Sequence, residues 1–297
     1  MGKRIGIVLF LLFVLAGCMN QEVATTEENV LDKEGQTIIQ TEQDAPLISP
    51  EEEKKNIILE DLNMRKDTVL NQDYGESVEF GEYVSGVKTR MKTNDKVIAL
   101  TLDACGGENG SGYDYALMDF LLENKIKANL FINARWIEVQ KEAFMELASN
   151  PLFEIENHGT EHRPLSTVPK SAWGIASTST KSEIVDEITD NQEKILTLTG
   201  KQPRFFRSGT AFYDDVSVQM AEDLGVEIVN FDVIGDGGAT FTKEQVEESM
   251  LLATAGSIII LHMNQPNSET AEGVKSAILT LLEQGFSFVH LHEYELE

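Results

Sequence analysis

Beyond Asp95 the sequence alternates between short apolar runs and longer amphipathic stretches, and this alternation limits the fold more than any other feature. Strand-like runs cover residues 97–102, 128–132, 153–156, 226–231, 257–261 and 286–291. Helix-like stretches cover residues 113–124, 137–149, 181–199, 214–224, 243–254 and 272–283. Alternating strands and helices predict an α/β fold with a parallel sheet, and an open or closed barrel is favoured over a doubly wound sheet.

Polar side chains follow several of the predicted strands. In a barrel the carboxyl ends of the strands share one face, where such side chains meet. The polar residues in these positions are Asp103, His158, Arg207, Asp232, Asp236 and His262. We therefore expect groups from distant parts of the sequence to converge there.

The strongest chemical signal is the histidine pair His158 and His162, which lie four residues apart directly after a predicted strand. In a helix or tight turn this spacing can aim both rings at one divalent metal. The alternative is a chance pair of surface histidines. The chain has only five histidines, and His262 follows another predicted strand, which favours a site. No strand-to-helix turn carries a phosphate-binding loop or a dinucleotide glycine pattern.

The amino terminus resembles a secretory signal. Lys3 and Arg4 precede an apolar run over 5–15, which is short for a membrane-spanning helix. The run leads into Leu-Ala-Gly-Cys at 15–18, similar to a bacterial lipobox, so we expect a signal peptide over 1–17 and a lipid-anchored, extracytoplasmic chain beginning at Cys18. The alternative is an ordinary cleaved signal. Of the two cysteines this leaves Cys105, interpreted as a packed thiol and not a nucleophile.

The net charge of −26 argues against binding to nucleic acid, whose phosphates would repel the protein. Acidic residues are concentrated between residues 19 and 56, where few aromatic or long apolar segments occur. Such a stretch cannot offset its ordering entropy by burying apolar surface. We expect residues 18–77 to be an acidic, largely disordered tether, with a short helix possible around 57–70.

Five segments together resemble the motifs of the polysaccharide deacetylase family, carbohydrate esterase family four. They are LTLDACGG at 100–107, ENHGTEH at 156–162, RFFRSGTAFYDD at 204–215, NFDVIGDGG at 230–238 and ILHMNQP at 260–266. The resemblance implies that 78–297 is a catalytic domain with a distorted (β/α) barrel. It also implies metal-dependent removal of acetyl groups from an N-acetylated glycan of the cell wall or another extracellular polysaccharide.

The resemblance also implies roles for individual residues. His158 and His162 match metal ligands, with zinc as the expected ion. Asp103 matches the general base, Arg207 the arginine that pairs with it, and Asp236 the acidic residue that holds the arginine. His262 matches the general acid for the departing amine, a role that suits a histidine pKa near neutrality.

The sequence departs from the family at three positions. Ala104 replaces a metal-binding aspartate, so either two histidines and waters suffice or Asp103 moves onto the metal. Restoring a carboxylate with Ala104→Asp is expected to tighten metal binding. Gly159 replaces a serine or threonine, and Gly237 replaces a tryptophan of the sugar pocket. Candidate replacements for that tryptophan, each also compatible with the core, are Tyr113, Trp136, Trp173 and Tyr213.

Two other functions fit these departures. A non-catalytic glycan-binding lipoprotein is favoured by Ala104, and a hydrolase of another acyl amide or ester is favoured by the altered fourth motif.

Overall fold

The computed structural model describes residues 29–31, 37–39 and 48–297. It divides into two units, residues 1–48 and 49–297. In the first unit, strands β1 (Asn29–Leu31) and β2 (Thr37–Ile39) pair in antiparallel fashion. The predicted signal peptide and Cys18 lie outside the described residues. Among the described residues, no helix has the length and apolar character needed to cross a bilayer.

The second unit contains the following elements in chain order: α1 (Pro50–Asn71), β3 (Phe80–Gly81), β4 (Val97–Ala104), α2 (Tyr115–Glu123), β5 (Ala128–Ile132), α3 (Ala134–Val139), α4 (Lys141–Ser149), β6 (Phe153–Asn157), β7 (Ser171–Ala172), β8 (Ile175–Ala176), α5 (Lys181–Thr199), β9 (Phe205–Phe206), β10 (Tyr213–Asp214), α6 (Asp215–Asp223), β11 (Glu227–Ile228), β12 (Val233–Ile234), α7 (Lys243–Met250), β13 (Ser257–His262), α8 (Thr270–Glu283), β14 (Ser287–Phe288) and a 3₁₀ turn (Leu291–Glu293).

A curled parallel sheet forms the centre of this unit. Its strands lie in the order β11-β9-β6-β5-β4-β13-β12, and β14 pairs with the start of β4. Successive strands lie next to each other or cross over through helices, as expected for βαβ connections. The predicted α/β fold with a distorted, open barrel is confirmed.

The two faces of the sheet pack against different layers. Leu100, Leu102 and Ala104 of β4 belong to the core cluster that includes residues of the surrounding helices. Ala99 and Phe131 belong to a separate cluster enclosed by the curl of the sheet. The alternation follows from the two-residue period of a strand, which sends neighbouring side chains to opposite faces. Asp103 therefore projects to the inner face.

Several predicted boundaries were wrong. The strand expected at 226–231 is reduced to β11 at 227–228, and the next strand, β12, begins only at residue 233 and lies at the opposite edge of the sheet. The helix expected at 137–149 is two helices that meet at Gln140. By contrast, α5 has the expected bounds, because Thr180 caps its first turn and Gly200 ends it with φ of 69°.

Helix α1 corrects the predicted extent of the tether. Ser49 caps its first turn by accepting a hydrogen bond from the Glu52 amide at 3.2 Å. Leu62 and Val69 are buried, and Lys66 of α1 pairs with Glu193 of α5 at 3.1 Å. The acidic, largely disordered segment therefore cannot extend to residue 77, because the helix from residue 50 packs against the barrel.

Candidate active site

Asp103 and Arg207 form a buried ion pair at the carboxyl end of the sheet. Arg207 Nη1 donates to Asp103 Oδ1 at 2.7 Å, and the two side chains are 0% and 3% exposed. Arg207 also donates to the carbonyl oxygens of Val229 and Asn230, and its guanidinium lies 4.2 Å from the centroid of the Phe131 ring. These contacts fix the arginine on all sides.

The pair keeps the Asp103 carboxylate ionised. Burial by itself would raise the pKa of Asp103, but the charge of Arg207, aided by His158 and His262, lowers it below its usual value. The second oxygen, Oδ2, lies 3.6 Å from His158 Nε2. Asp103 is therefore an anionic acceptor with one oxygen held by Arg207 and the other directed toward the histidine pair.

Asp236 binds His262 and not Arg207. Asp236 Oδ1 lies 2.9 Å from His262 Nδ1, and Oδ2 accepts from the His262 amide at 2.8 Å. Burial would lower the pKa of His262, but Asp236 raises it well above its usual value. The expectation that Asp236 holds the arginine was wrong, because β12, which precedes Asp236, pairs with the strand of His262, whereas Arg207 follows β9 several strands away.

The two histidines of the second motif meet as expected, and Cys105 joins them. Their ring centroids are 4.9 Å apart. Ligand atoms of Cys105, His158 and His162 all lie within 4.8 Å of one another. His158 Nδ1 lies 2.9 Å from the Arg207 carbonyl oxygen, which can only accept, so Nδ1 carries the hydrogen and Nε2 has the lone pair.

These residues fit a divalent metal. His162 Nε2 is buried and has no hydrogen-bond partner among the described residues, which is costly unless a ligand occupies it. The Cys105 thiol lies 3.8 Å from His158 Nε2. Burial would raise the pKa of Cys105, but His162 and the neighbouring histidines lower it well below its usual value. A thiolate and two imidazoles form a donor set typical of zinc.

Ala104 is not part of this group. Its side chain is 0% exposed and packs in the core cluster between the sheet and the helices. The carboxylate that the family places in its first motif therefore has no counterpart at residue 104, and Cys105 is the residue that contacts the histidines. The chain turns at the end of β4 and brings the Cys105 thiol beside the histidines, contacts that its interpretation as a packed thiol did not include.

The loop that carries His162 is held by Glu187, a buried residue of α5 that the sequence analysis missed. Glu187 Oε2 accepts from the Glu161 amide at 2.9 Å, and Oε1 accepts from the Arg163 amide at 3.1 Å. His162, between them, has φ of 65°, a left-handed conformation uncommon outside glycine. Burial raises the pKa of Glu187 to about 7.

Gly159 makes room for this carboxylate. Its φ is 77°, and a Cβ there would lie 2.4 Å from Glu187 Oε1. Where the family has a hydroxyl on the loop, this chain has a carboxylate from the neighbouring helix. Glu187 lies on the buried face of α5 with Ile184 and Ile188, which only the structure shows.

A cavity of about 460 Å³ opens at the carboxyl end of the sheet, and Asp103 and His262 both line it. Apolar side chains, including Phe231 and Phe241, form much of its wall. A second cavity of about 340 Å³ shares His262 with it and is lined by Cys105 and His162. The proton acceptor, the histidine and the metal-binding group therefore line two neighbouring cavities that share His262.

Aromatic residues lie at the cavity near Gly237, where the resemblance implies a tryptophan. A Cβ at Gly237 would lie 2.3 Å from the Phe241 ring, so the glycine allows Phe241 to pack there. Trp173, in the turn between β7 and β8, is 76% exposed and lines the larger cavity. Trp136 and Tyr213 are fully buried, so of the four candidates Trp173 is the best placed to contact a sugar.

Asp232 does not join the site. It pairs with Arg90 and accepts from the Ile258 amide at 2.8 Å, near the start of β13. The convergence predicted for six polar groups therefore holds for Asp103, His158, Arg207, Asp236 and His262 only.

Comparison with known proteins agrees with this geometry. Residues 90–229 match the family model described as polysaccharide deacetylase. A peptidoglycan N-acetylmuramic acid deacetylase from Bacillus subtilis (strain 168) is 24% identical over 213 residues, which are 69% of this chain and 73% of that protein. These matches support a relationship between this chain and the polysaccharide deacetylase family. At the level of reaction class, this similarity supports a hydrolase that acts on amide bonds.

Solved structures show the same fold. The structure of the deacetylase from Bacillus subtilis aligns with a TM-score of 0.58 at 22% identity, over 78% of this chain and 88% of that chain. A family 4 carbohydrate esterase described as a pseudoenzyme, from Bacillus anthracis, aligns with a TM-score of 0.59 at 22% identity, over 71% of this chain and 69% of that chain. Polysaccharide deacetylase-like folds thus include proteins described as active and as inactive.

Proposed function

We propose that this chain is a metal-dependent N-deacetylase that removes acetyl groups from amino sugars of a cell-wall or other extracellular polysaccharide. The proposal depends on one observation: Asp103, held by Arg207, and His262, held by Asp236, line the same cavity. Hydrolysis of an amide needs a proton acceptor for water and a proton donor for the leaving amine. The two pairs supply a carboxylate and a histidine in these roles.

The residues that would hold the metal are Cys105, His158 and His162, and zinc is the ion that their sulfur and nitrogen donors favour. Asp103, next to His158, remains available as the base. A bound zinc ion would supply Lewis acidity to the carbonyl oxygen and lower the pKa of a bound water.

The protein side chains perform the proton transfers. Asp103 Oδ2, the oxygen not bound to Arg207, accepts a proton from the attacking water. Arg207 prevents Asp103 from losing its charge in a buried position. His262 binds Asp236 through Nδ1, so Nε2 donates a proton to the leaving nitrogen of the sugar. Trp173 provides an exposed ring against which a sugar can stack.

The location follows from the amino-terminal sequence. A lipid on Cys18 would anchor the protein to the outer face of the bacterial cell membrane, with the site directed at the wall. This agrees with the substrate in the name of the Bacillus subtilis relative, a peptidoglycan N-acetylmuramic acid deacetylase.

Acetate release tests the proposal. Purified protein would be incubated with peptidoglycan, chitooligosaccharides and an acetate ester, after chelation and after zinc is restored. We expect zinc-dependent release from an N-acetylated glycan and its loss in Asp103→Asn. Saturable glycan binding without acetate release under any of these conditions would instead identify a non-catalytic glycan-binding lipoprotein.

A second candidate is hydrolysis of another acyl amide or ester. The apolar wall around Phe231, Ile234 and Phe241 favours it, because such a wall accommodates an acyl group larger than acetyl. A panel of substrates with acyl chains of increasing length separates the two candidates. Faster turnover of a longer chain than of acetyl would favour the second.

A further inference from the structure

The opposite end of the barrel has a second cluster of potential metal ligands. Glu154 lies on β6, and His290 and His292 lie in the carboxyl-terminal segment after β14. Each offers one ligand atom, and these atoms all lie within 4.8 Å of one another. Glu154 precedes His158 by four residues, about 13 Å of extended strand, so this cluster is separate from the candidate active site.

One pair of ligand atoms must separate slightly to share an ion. Glu154 Oε1 lies 2.6 Å from His292 Nδ1. Ligand atoms around a tetrahedral zinc ion lie about 3.3 Å apart, so this pair must separate by about 0.7 Å. The His292 side chain is 47% exposed, which gives it freedom to move and gives a metal a path from solvent.

The hydrogen bond of His290 to the chain leaves its other ring nitrogen as an acceptor. His290 Nε2 lies 3.0 Å from the Leu152 carbonyl oxygen, which can only accept a hydrogen bond. Nε2 therefore carries the hydrogen, and Nδ1 has a lone pair. This is the arrangement that orients metal-binding histidines, in which the second ring nitrogen donates to a carbonyl or a carboxylate.

A carboxylate oxygen lacks a partner at this position. Glu154 Oε2 is buried and has no hydrogen bond among the described residues. Leaving such an oxygen unpaired is costly, and a bound cation would satisfy it. Glu156, two residues along β6 and 1% exposed, also lines the cavity of about 270 Å³ that Glu154, His290 and His292 line, but its Oε2 already accepts from two backbone amides.

Nearby cations have other partners. Lys201 Nζ lies 3.5 Å from the Ala148 carbonyl oxygen, and Arg204 pairs with Glu227 at 3.0 Å. Lys127 pairs with Glu293 at 2.9 Å. None of these contacts satisfies Glu154 Oε2.

We propose that Glu154, His290 and His292 form a second divalent-metal site that binds zinc at the amino-terminal end of the barrel. Two imidazoles and a carboxylate suit zinc, with water in the remaining position. The ion joins the carboxyl-terminal segment to β6. Because it binds the folded chain, it stabilises that state, and the stabilisation increases with the concentration of free zinc.

Zinc stoichiometry provides the first test. Metal-free protein would be titrated with zinc, and bound metal measured after dialysis. The wild-type protein is expected to bind two equivalents, and Glu154→Gln and His292→Ala to retain one. Glu295→Gln is the matched control, because it removes an exposed carboxylate of the same segment that pairs only with Lys92; it should retain two.

Cobalt identifies which site is lost. A site containing Cys105 gives a thiolate-to-cobalt charge-transfer band, and a site of Glu154, His290 and His292 cannot. Glu154→Gln and His292→Ala should keep this band while losing one equivalent. If Glu154→Gln and His292→Ala bind as many equivalents of zinc and cobalt as the wild type, the second site does not exist.

Thermal unfolding provides a test that does not depend on stoichiometry. In His292→Ala, whose substituted side chain is half exposed, the fold should survive and the increase in Tm on adding zinc should be smaller than in the wild type. An equal zinc-dependent increase in His292→Ala, Glu154→Gln and the wild type would contradict the proposal.

Discussion

The two ends of the barrel hold all five histidines of the chain in different settings. At the carboxyl end, His158 is 2% exposed, and the cluster adjoins an aspartate–arginine pair and a histidine–aspartate pair. At the amino end, His292 pairs with Glu154 but is 47% exposed, and this cluster contains no aspartate–arginine pair. The difference separates a buried set, in which an ionised carboxylate and a histidine line one cavity, from a partly exposed set of potential metal ligands.

Removing the proton acceptor or donor at the carboxyl end should have the largest effect. Asp103→Asn and His262→Ala are each expected to lower turnover by about 10²–10⁴-fold, the scale of general acid–base catalysis. The loss of turnover would be measured as the rate of acetate release from a substrate that the wild type cleaves. Glu154→Gln and His292→Ala are matched controls at the other end and should leave turnover unchanged. Near wild-type turnover in both active-site variants would show that the proposed roles are wrong.

Cys105 should be essential for metal binding at the active site. Replacing a residue that hydrogen-bonds to a metal ligand lowers metal affinity by about 10–100-fold. Cys105→Ala removes a ligand itself, so zinc affinity should fall by at least about 100-fold. Zinc competition titration would measure the affinity, and the cobalt charge-transfer band should disappear. If the band persists in Cys105→Ala, the sulfur is not a ligand.

A carboxylate at residue 104, directly before Cys105, should destabilise the protein and should not bind the metal. Ala104→Asp places a charge in the core between the sheet and the helices and should lower the free energy of unfolding by about 2–3 kcal/mol. Denaturant unfolding would measure it. Cys105→Asp is the matched control, because the same group then lies beside the histidines and should retain zinc. Tighter zinc binding in Ala104→Asp would show that residue 104 faces the metal and not the core.

Glu187 should act on the metal site through the loop that it holds. In Glu187→Gln one oxygen becomes an amide nitrogen, which cannot accept from a backbone amide, so zinc affinity at the active site should fall about 10-fold. Glu193→Gln is the control, because it lies on the exposed side of the same helix and pairs with Lys66. A loss of overall stability with unchanged zinc affinity and an unchanged cobalt spectrum would assign Glu187 a purely structural role.

The fold was largely predictable because its signals are local. Apolar runs of strand length alternated with amphipathic helices, and α5 was bounded correctly by Thr180 and Gly200. The prediction failed where local patterns were weak or mixed. The apolar residues of 226–231 do not form one strand, and the charged surface of α1 concealed buried Leu62 and Val69.

The site was predictable in part, through residue type and position relative to the strands. Asp103, His158, His162, Arg207 and His262 converge as expected. Glu187 and Cys105 were missed because neither carries a signal by itself. A buried glutamate on a helix becomes meaningful only when its partners, the amides of Glu161 and Arg163, are known.

The sequence by itself determined the order of strands and helices, the polar residues that follow the strands and the scarcity of histidines. Only the tertiary structure decided which side chains face each other. Strand alternation and the turn after β4 place Ala104 in the core and Cys105 among the histidines. Sheet order places Asp236 beside His262 and not Arg207. Register and strand order depend on pairing between distant segments, whereas a residue pattern along the chain reports only local preference.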